Sequence, residues 1–209
     1  VHALGQIAAF DANFASSDIS RLMLSLNALL PDQIKVMAIR EVPTDFHPIR
    51  NSTGKLYTYN VWRGRFSNPF WAPYCWPISF KLNVELMLNC CRQFVGELDF
   101  AAFCAADSGA KTSVRRIELF DLSQVGDRLI FTIQGTGFLK QMCRSMVGTL
   151  IDVGRGKLPP DSIPKILASR DHTCAGQTAP AGGLCLSKVF YQIGGVQHSS
   201  GSQGLALPQ

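Results

Sequence analysis

Thr136-Gly-Phe-Leu-Lys-Gln-Met-Cys-Arg-Ser-Met-Val-Gly-Thr-Leu-Ile-Asp-Val-Gly-Arg-Gly156 is the stretch on which the reading of this chain turns. Leu139, Met142, Cys143, Met146, Val147, Leu150 and Ile151 recur at steps of three and four, the period of an amphipathic or buried helix. Gly154 and Gly156 supply the stop that helix ends favour. Arg144 is the only charge between Lys140 and Asp152. A guanidinium keeps its proton in a protein and is costly to leave unpaired among apolar groups. Two readings are open: an arginine snorkelling from the polar edge of a core helix, or one that reaches a carboxylate or phosphate in a cleft.

Upstream, Gly54-Lys-Leu-Tyr-Thr-Tyr-Asn-Val-Trp-Arg-Gly64 has a period of two. Lys55, Tyr57, Tyr59, Val61 and Arg63 therefore share one face of a strand. Two bases flanking two aromatics suit a nucleobase and its phosphates. They suit equally a strand whose tyrosines bury their rings and hydrogen-bond at the edge.

Around these two elements the pattern predicts further helices and strands. Ser16 or Ser17 is placed to cap a helix carrying Ile19, Leu22, Met23, Leu26, Leu29 and Leu30, ended by Pro31-Asp32. Ile34 to Val42 reads as a strand. Residues 65–82, with Trp71, Tyr74 and Trp76, read as an irregular loop. Asn83 caps a helix with Val84, Met87, Leu88, Cys91, Phe94 and Val95 inward, closed by Gly96. Ser113 to Leu122 and Arg128 to Gln134 form an antiparallel pair through Gly126-Asp127. A short helix opens at Pro160-Asp161, and a last strand runs to Tyr191. Beyond Ile193 the Gly, Ser and Gln content predicts a flexible tail.

The 209 residues suffice for one large domain or two small ones with a substantial core. No apolar run approaches the roughly 20 residues that cross a bilayer, so no membrane span is expected. Net charge is +5 but uneven: from Phe46 to Val84 there are five bases and no acid, which suits a polyanionic partner or a solvated basic face. The seven cysteines are odd in number and form no Cys-x-x-Cys pair, which predicts reduced thiols in an intracellular compartment. The cysteines and the scattered His2, His47, His172 and His198 give no signature of a zinc site or of an activated thiol.

The helix stretch resembles the helix motif of the TruA-type tRNA pseudouridine synthase family, in Phe138-Leu139, Met142, Arg144, Met146-Val147-Gly148, Leu150 and Val153-Gly154. Lys55-x-Tyr57-x-Tyr59 resembles the family's Lys/Arg-x-Tyr-x-Tyr motif. Ala179-Pro180 through Gly183-Leu184, Leu186, Val189 and Tyr191 resemble its closing segment. Asp45-Phe46-His47 resembles its Asp-Phe-His-Ala-Arg segment, except that the family arginine falls at Ile49 and Arg50 stands one place late. Arg115 aligns with a recurrent family arginine.

The resemblance implies an α+β fold, an antiparallel or mixed sheet packed with helices, with a pseudouridine synthase catalytic domain over residues 46–192, the remainder of an N-terminal domain over 1–45, and the tail over 193–209. It implies tRNA as partner, a homodimer as the common assembly, and isomerisation of uridine without cofactor or metal. Arg144 is then expected to pair with the catalytic aspartate and Tyr57 to stack on the target uracil. Lys55, Tyr59, Arg63, Arg50, Arg115, Gly183 and Leu184 are expected at the substrate or RNA surface. Val1-His2-Ala3 with Gly5-Gln6 resembles the segment immediately after the family's Gly-Arg-Thr-Asp-Ala-Gly loop, which puts the nucleophilic aspartate just ahead of Val1. The alternative is a non-catalytic RNA-binding relic of such an enzyme. On either reading the 209 residues alone form no pseudouridine in tRNA. Mass-spectrometric detection of the modified base in a reaction with this chain alone overturns that expectation.

Overall fold

The computed structural model describes residues 1–12, 18–64, 66–193 and 196–199. The chain forms two compact units, residues 7–51 and residues 1–6 with 52–209.

The larger unit is built on one mixed sheet. Its strands are β1 (His2–Ala3), β2 (Ser52–Arg63), β3 (Trp76–Ile78), β4 (Gly96–Asp99), β5 (Val114–Val125), β6 (Arg128–Gly135), β7 (Leu184–Ile193) and β8 (Val196–Ser199). Their order is β1-β7-β2-β6-β5-β4, with β3 added to β2 and β8 to β7. β2 is central, antiparallel to β6 from Lys55 to Trp62 and antiparallel to β7. β1 and β3 are the parallel additions. The predicted β5–β6 hairpin is present and turns at Gly126-Asp127.

Helices α2 (Val84–Cys91), α3 (Met142–Gly154) and α4 (Ser162–Ser169) complete this unit. Every residue of α3 except Arg144 is buried. Its Met142, Met146, Val147 and Leu150 join Leu129, Phe131 and Ile133 of β6 and Tyr59 and Val61 of β2 in one core. A second group of rings, Phe94, Phe100, Phe103 and Phe120, packs edge and face at centroid separations of 5.2–6.5 Å. The seven cysteines are free thiols. Burial pushes Cys91 up to about 12 and Cys75 up to about 11, so these thiols behave as small hydrophobes.

Several predicted boundaries move. α3 starts at Met142, because Gln141 adopts the left-handed conformation (φ 63°) and ends an irregular link from β6. Leu139 is buried from that link, outside the helix. α2 ends early: Asn83 caps it by accepting from the Leu86 amide, but Phe94 lies in a 3-10 turn and Val95 is 43% exposed. Gly96 then opens β4. Trp76–Ile78, expected to be irregular, pairs with β2.

The smaller unit holds helix α1 (Ile19–Leu29). Its N-cap is Asp18; Ser16 and Ser17 lie outside the described residues. None of its residues is buried, and Leu24 and Leu29 are 69% and 85% exposed. Ile34 to Val42 forms no strand. The Asn27 side chain occupies both main-chain groups of Val36, donating to its carbonyl (2.9 Å) and accepting from its amide (2.7 Å). A side-chain amide thus takes the place of a ladder at that point. Of the predicted tail, Val196–Ser199 pairs with β7, and residues 194, 195 and 200–209 lie outside those described.

The segment 175–179 crosses α3 at Gly148, where an added Cβ lies 1.7 Å from the Gln177 carbonyl oxygen. Only a helix position without a side chain accepts that backbone. Gly148→Ala is expected to destabilise the protein by at least about 2 kcal/mol in denaturant unfolding. An unchanged midpoint contradicts the crossing.

Candidate active site

Three segments meet at the start of α3: the Tyr57–Tyr59 face of β2, the helix's first turn, and residues 179–183. Arg144 and Ala179 hold one another reciprocally. The Arg144 Nε donates to the Ala179 carbonyl at 2.6 Å, and the Ala179 amide donates to the Arg144 carbonyl at 3.1 Å. No carboxylate pairs with Arg144 among the described residues. One edge of the guanidinium is therefore fixed by the main chain, and its terminal amino groups are left for an anion.

Tyr59 stands beside this pair and is fully buried, at 0% exposure. Its hydroxyl donates to the Pro180 carbonyl at 2.8 Å. Burial pushes its pKa up, with the Arg144 charge acting against that rise, which places the guanidinium within electrostatic reach of the ring. A Cβ on Gly183 would lie 2.6 Å from Tyr59 Cζ, so this glycine is what lets the turn close over the ring. Tyr59, Gly183 and Leu184, expected at the RNA surface, instead form a buried support: Tyr59 is sealed in the core, Gly183 is buried and Leu184 is 7% exposed. Their contribution is to position the 179–183 turn from behind.

Tyr57 is the more accessible of the two tyrosines. Its ring meets Phe138 edge-on, with centroids 5.1 Å apart at 81°. Partial burial, and Cys143 at the start of α3, push its hydroxyl up to about 12. Tyr57 is therefore a neutral phenol at neutral pH, a flat ring with one donor. Lys55 lies on the same face, opposite Gly135 of β6. Arg115 reaches across the link that carries Phe138: its Cδ and Nε are 3.7 Å from where a Cβ on Gly137 would be. Its guanidinium is held by the Thr112 and Val114 carbonyls at 3.0 and 2.6 Å.

The structure thus brings together Arg144, Tyr57, Arg115 and Lys55. Arg63 lies six residues beyond Tyr57 along β2, about 20 Å away at strand rise. Arg50 is an exposed residue of the smaller unit. Phe138 and the Ala179 and Pro180 carbonyls are site components that the sequence reading missed. Phe138 stood in the quoted stretch beside a glycine, a legible signal. Main-chain acceptors leave no signal in residue type. Among the described residues, no group of three or more His, Cys, Asp or Glu is placed to hold a metal ion.

A partly exposed ring and a guanidinium with free donors, on segments that meet at the start of α3, suit a planar heterocycle and an anion. Residues 90–192 match the family described as tRNA pseudouridine synthase. The chain is 41% identical over 191 residues to tRNA pseudouridine synthase A of Geotalea daltonii, covering 91% of this chain and 78% of that protein. Against the Myxococcus xanthus protein of the same name it is 40% identical over 195 residues, 93% of this chain and 73% of that one. Identity to the Acetivibrio thermocellus protein is 41% over 191 residues, 91% of this chain and 78% of that one. This chain belongs to the tRNA pseudouridine synthase family. It has that family's mixed-sheet α+β fold, and the family's reaction is isomerisation of uridine in tRNA.

In this synthase chain the raised pKa of Tyr57 has a consequence for stability. The native state keeps the phenol proton to about pH 12, whereas an unfolded tyrosine loses it near 10. The native state then binds more protons, so stability falls as pH rises from about 10 to about 12. Tyr57→Phe is expected to shallow that alkaline loss, read as the unfolding midpoint against pH. A variant with the same alkaline slope as the parent contradicts the partial burial of this hydroxyl.

Proposed function

We propose that this fold and site serve the isomerisation of uridine to pseudouridine in tRNA, with Arg144 orienting an aspartate contributed from ahead of Val1. The observation that carries the reading is an arginine pinned at one edge by Ala179 and otherwise unpaired, directly following Cys143, which lies within electrostatic reach of the half-buried Tyr57. The direction of β1 supports it. β1 runs parallel to β7 with His2 opposite Cys185 and Ala3 opposite Leu186, and Leu4 and Gly5 both donate to the Leu186 carbonyl. Chain extended backwards along that line heads for Leu184 and the 179–183 turn, where Arg144 is held.

The reaction breaks the N1–C1′ bond, turns the base, joins C5 to C1′, and exchanges a proton lost at C5 for one gained at N1. Arg144 holds the carboxylate ionised through charge-assisted hydrogen bonds. Tyr57 supports the uracil face while it turns, and as a neutral phenol it accepts no proton. Lys55 and Arg115 engage phosphates at the rim. A uracil within a stem is out of reach, so the nucleotide leaves its stack to enter. The substrate places the enzyme inside the cell, in keeping with free thiols. The division into an N-terminal remainder and a catalytic domain from about residue 46, and a homodimeric assembly, belong to the same proposal.

Release of tritium from C5-labelled uridine in tRNA, by a polypeptide extended ahead of Val1 to include the aspartate, tests this reading. Arg144→Lys is expected to lower the rate at least about a hundredfold, since an ammonium cannot pair bidentately while bonding Ala179. Tyr57→Phe should stay within about tenfold and Tyr57→Ala should not, since the ring and not the hydroxyl is used. Binding of tRNA without any release supports the RNA-binding relic instead, and full activity in Arg144→Lys overturns the assignment.

A further inference from the structure

At the far end of β2 from Tyr57, Arg63, Ser79, Phe80 and Lys81 line a cleft of about 320 Å³, with Ile78 and Leu82 beneath them. The cleft is part of the folded sheet. Arg63 pairs in register with Ile78 of β3, and the Gly64 amide donates to the Ile78 carbonyl at 2.8 Å. On the other side the Asn83 amide donates to the Gly154 carbonyl at 2.8 Å, tying the segment to the end of α3. Phe80 is 40% exposed, and the Arg155 guanidinium lies 5.3 Å from its ring centroid. Arg155 is itself paired with Asp152 at 2.7 Å, so it is held in place over the ring. Arg63 and Lys81 make no ion pair among the described residues. The sequence from Phe46 to Val84 holds no acid, and Glu85 and Asp127, the acids flanking these elements, pair with neither cation.

We propose that this cleft is a second RNA-contact site, which takes one nucleotide of the tRNA strand with its phosphate on Arg63 and Lys81 and its base against Phe80. It rests on the synthase reading above and adds to it a named subsite. The volume is within the range of small-ligand pockets. Two unpaired cations with a hydroxyl suit a phosphodiester, and a half-exposed ring beside them suits any base, because every base has a π-face. This chemistry positions the strand without reading its sequence. The separation of about 20 Å from Tyr57 equals roughly six stacked nucleotide steps at 3.4 Å, so the two sites hold one tRNA at separate points.

The test is binding of an unmodified tRNA transcript to the full chain at several salt concentrations. Arg63→Gln with Lys81→Gln is expected to weaken binding roughly tenfold at low salt and to reduce the salt slope by about two. Phe80→Leu is expected to weaken binding about fivefold with the slope unchanged. Lys81→Gln alone, at an exposed position, should lower the slope by about one and keep the thermal midpoint. If the parent chain binds tRNA and all three variants bind it with the parental affinity and slope, the second site is overturned while the synthase reading stands. If the parent chain binds no tRNA, both fail. If the variants change self-association and leave tRNA binding intact, the cleft is a protein interface and the proposal is wrong.

Discussion

The reciprocal pair of hydrogen bonds between Arg144 and Ala179 is the constraint on which the rest depends. A helix buried along its whole length except for one arginine has to account for that charge. The solution is partial. The Ala179 carbonyl takes the Nε, a bond worth about 1.5–3 kcal/mol when the donor is charged, and the outer donors are left for a ligand. That arrangement needs residues 177–179 pressed against the helix, which in turn needs Gly148 at the crossing. It also needs the turn after Pro180 to be braced, which Tyr59 does through its hydroxyl while Gly183 makes room for its ring.

The two tyrosines of β2 show how one strand face serves two purposes. Tyr57 and Tyr59 point the same way, two residues apart, yet Tyr59 is under the 179–183 turn and Tyr57 is at the opening beside Phe138. Depth alone separates a brace from a surface that can meet a base. Burial raises both hydroxyls, so neither titrates near neutral pH and the site's charge is set by its arginines and lysine. The left-handed Gln141 just before α3 serves the same crowded opening. It costs about 1–2 kcal/mol of backbone energy and turns the chain sharply enough to bring both Phe138 and Arg144 to one place.

Periodicity made the long, strongly patterned elements legible: α3, β2, the β5–β6 hairpin and β7 all arise from spacings of three-to-four or two. The misreadings have physical causes. Ile34 to Val42 is rich in the β-branched residues that strands favour but meets a side-chain amide at Val36 in place of a partner strand. Trp76–Ile78 carries a proline and only three residues, too short to show a period, and becomes a strand because β2 offers it an edge. At the site, Arg144 was legible as a charge out of place and Tyr57 as an aromatic between bases. Tyr59 looked the same as Tyr57, since a sequence gives the face of a strand but not the depth at which another segment covers it. The carbonyls of Ala179 and Pro180 were illegible because every residue carries one.

The basic residues divide by how strongly the protein constrains them, and that division determines what each can contribute. Arg144 is held by a short bond in the first turn of a buried helix, where the low local dielectric would strengthen its interaction with any anion set against its free donors. Arg115 is held by the Thr112 and Val114 carbonyls beside the link that carries Phe138, which fixes its guanidinium relative to the sheet. Lys81 is exposed, and its attraction for a phosphate is screened within a Debye length of about 8–10 Å. Affinity supplied by such a group is traded against salt, whereas orientation supplied by Arg144 is not. On the proposed function, a site of this construction separates holding the tRNA, which many weakly constrained charges do together, from placing one uridine, which depends on the few groups the fold does not allow to move.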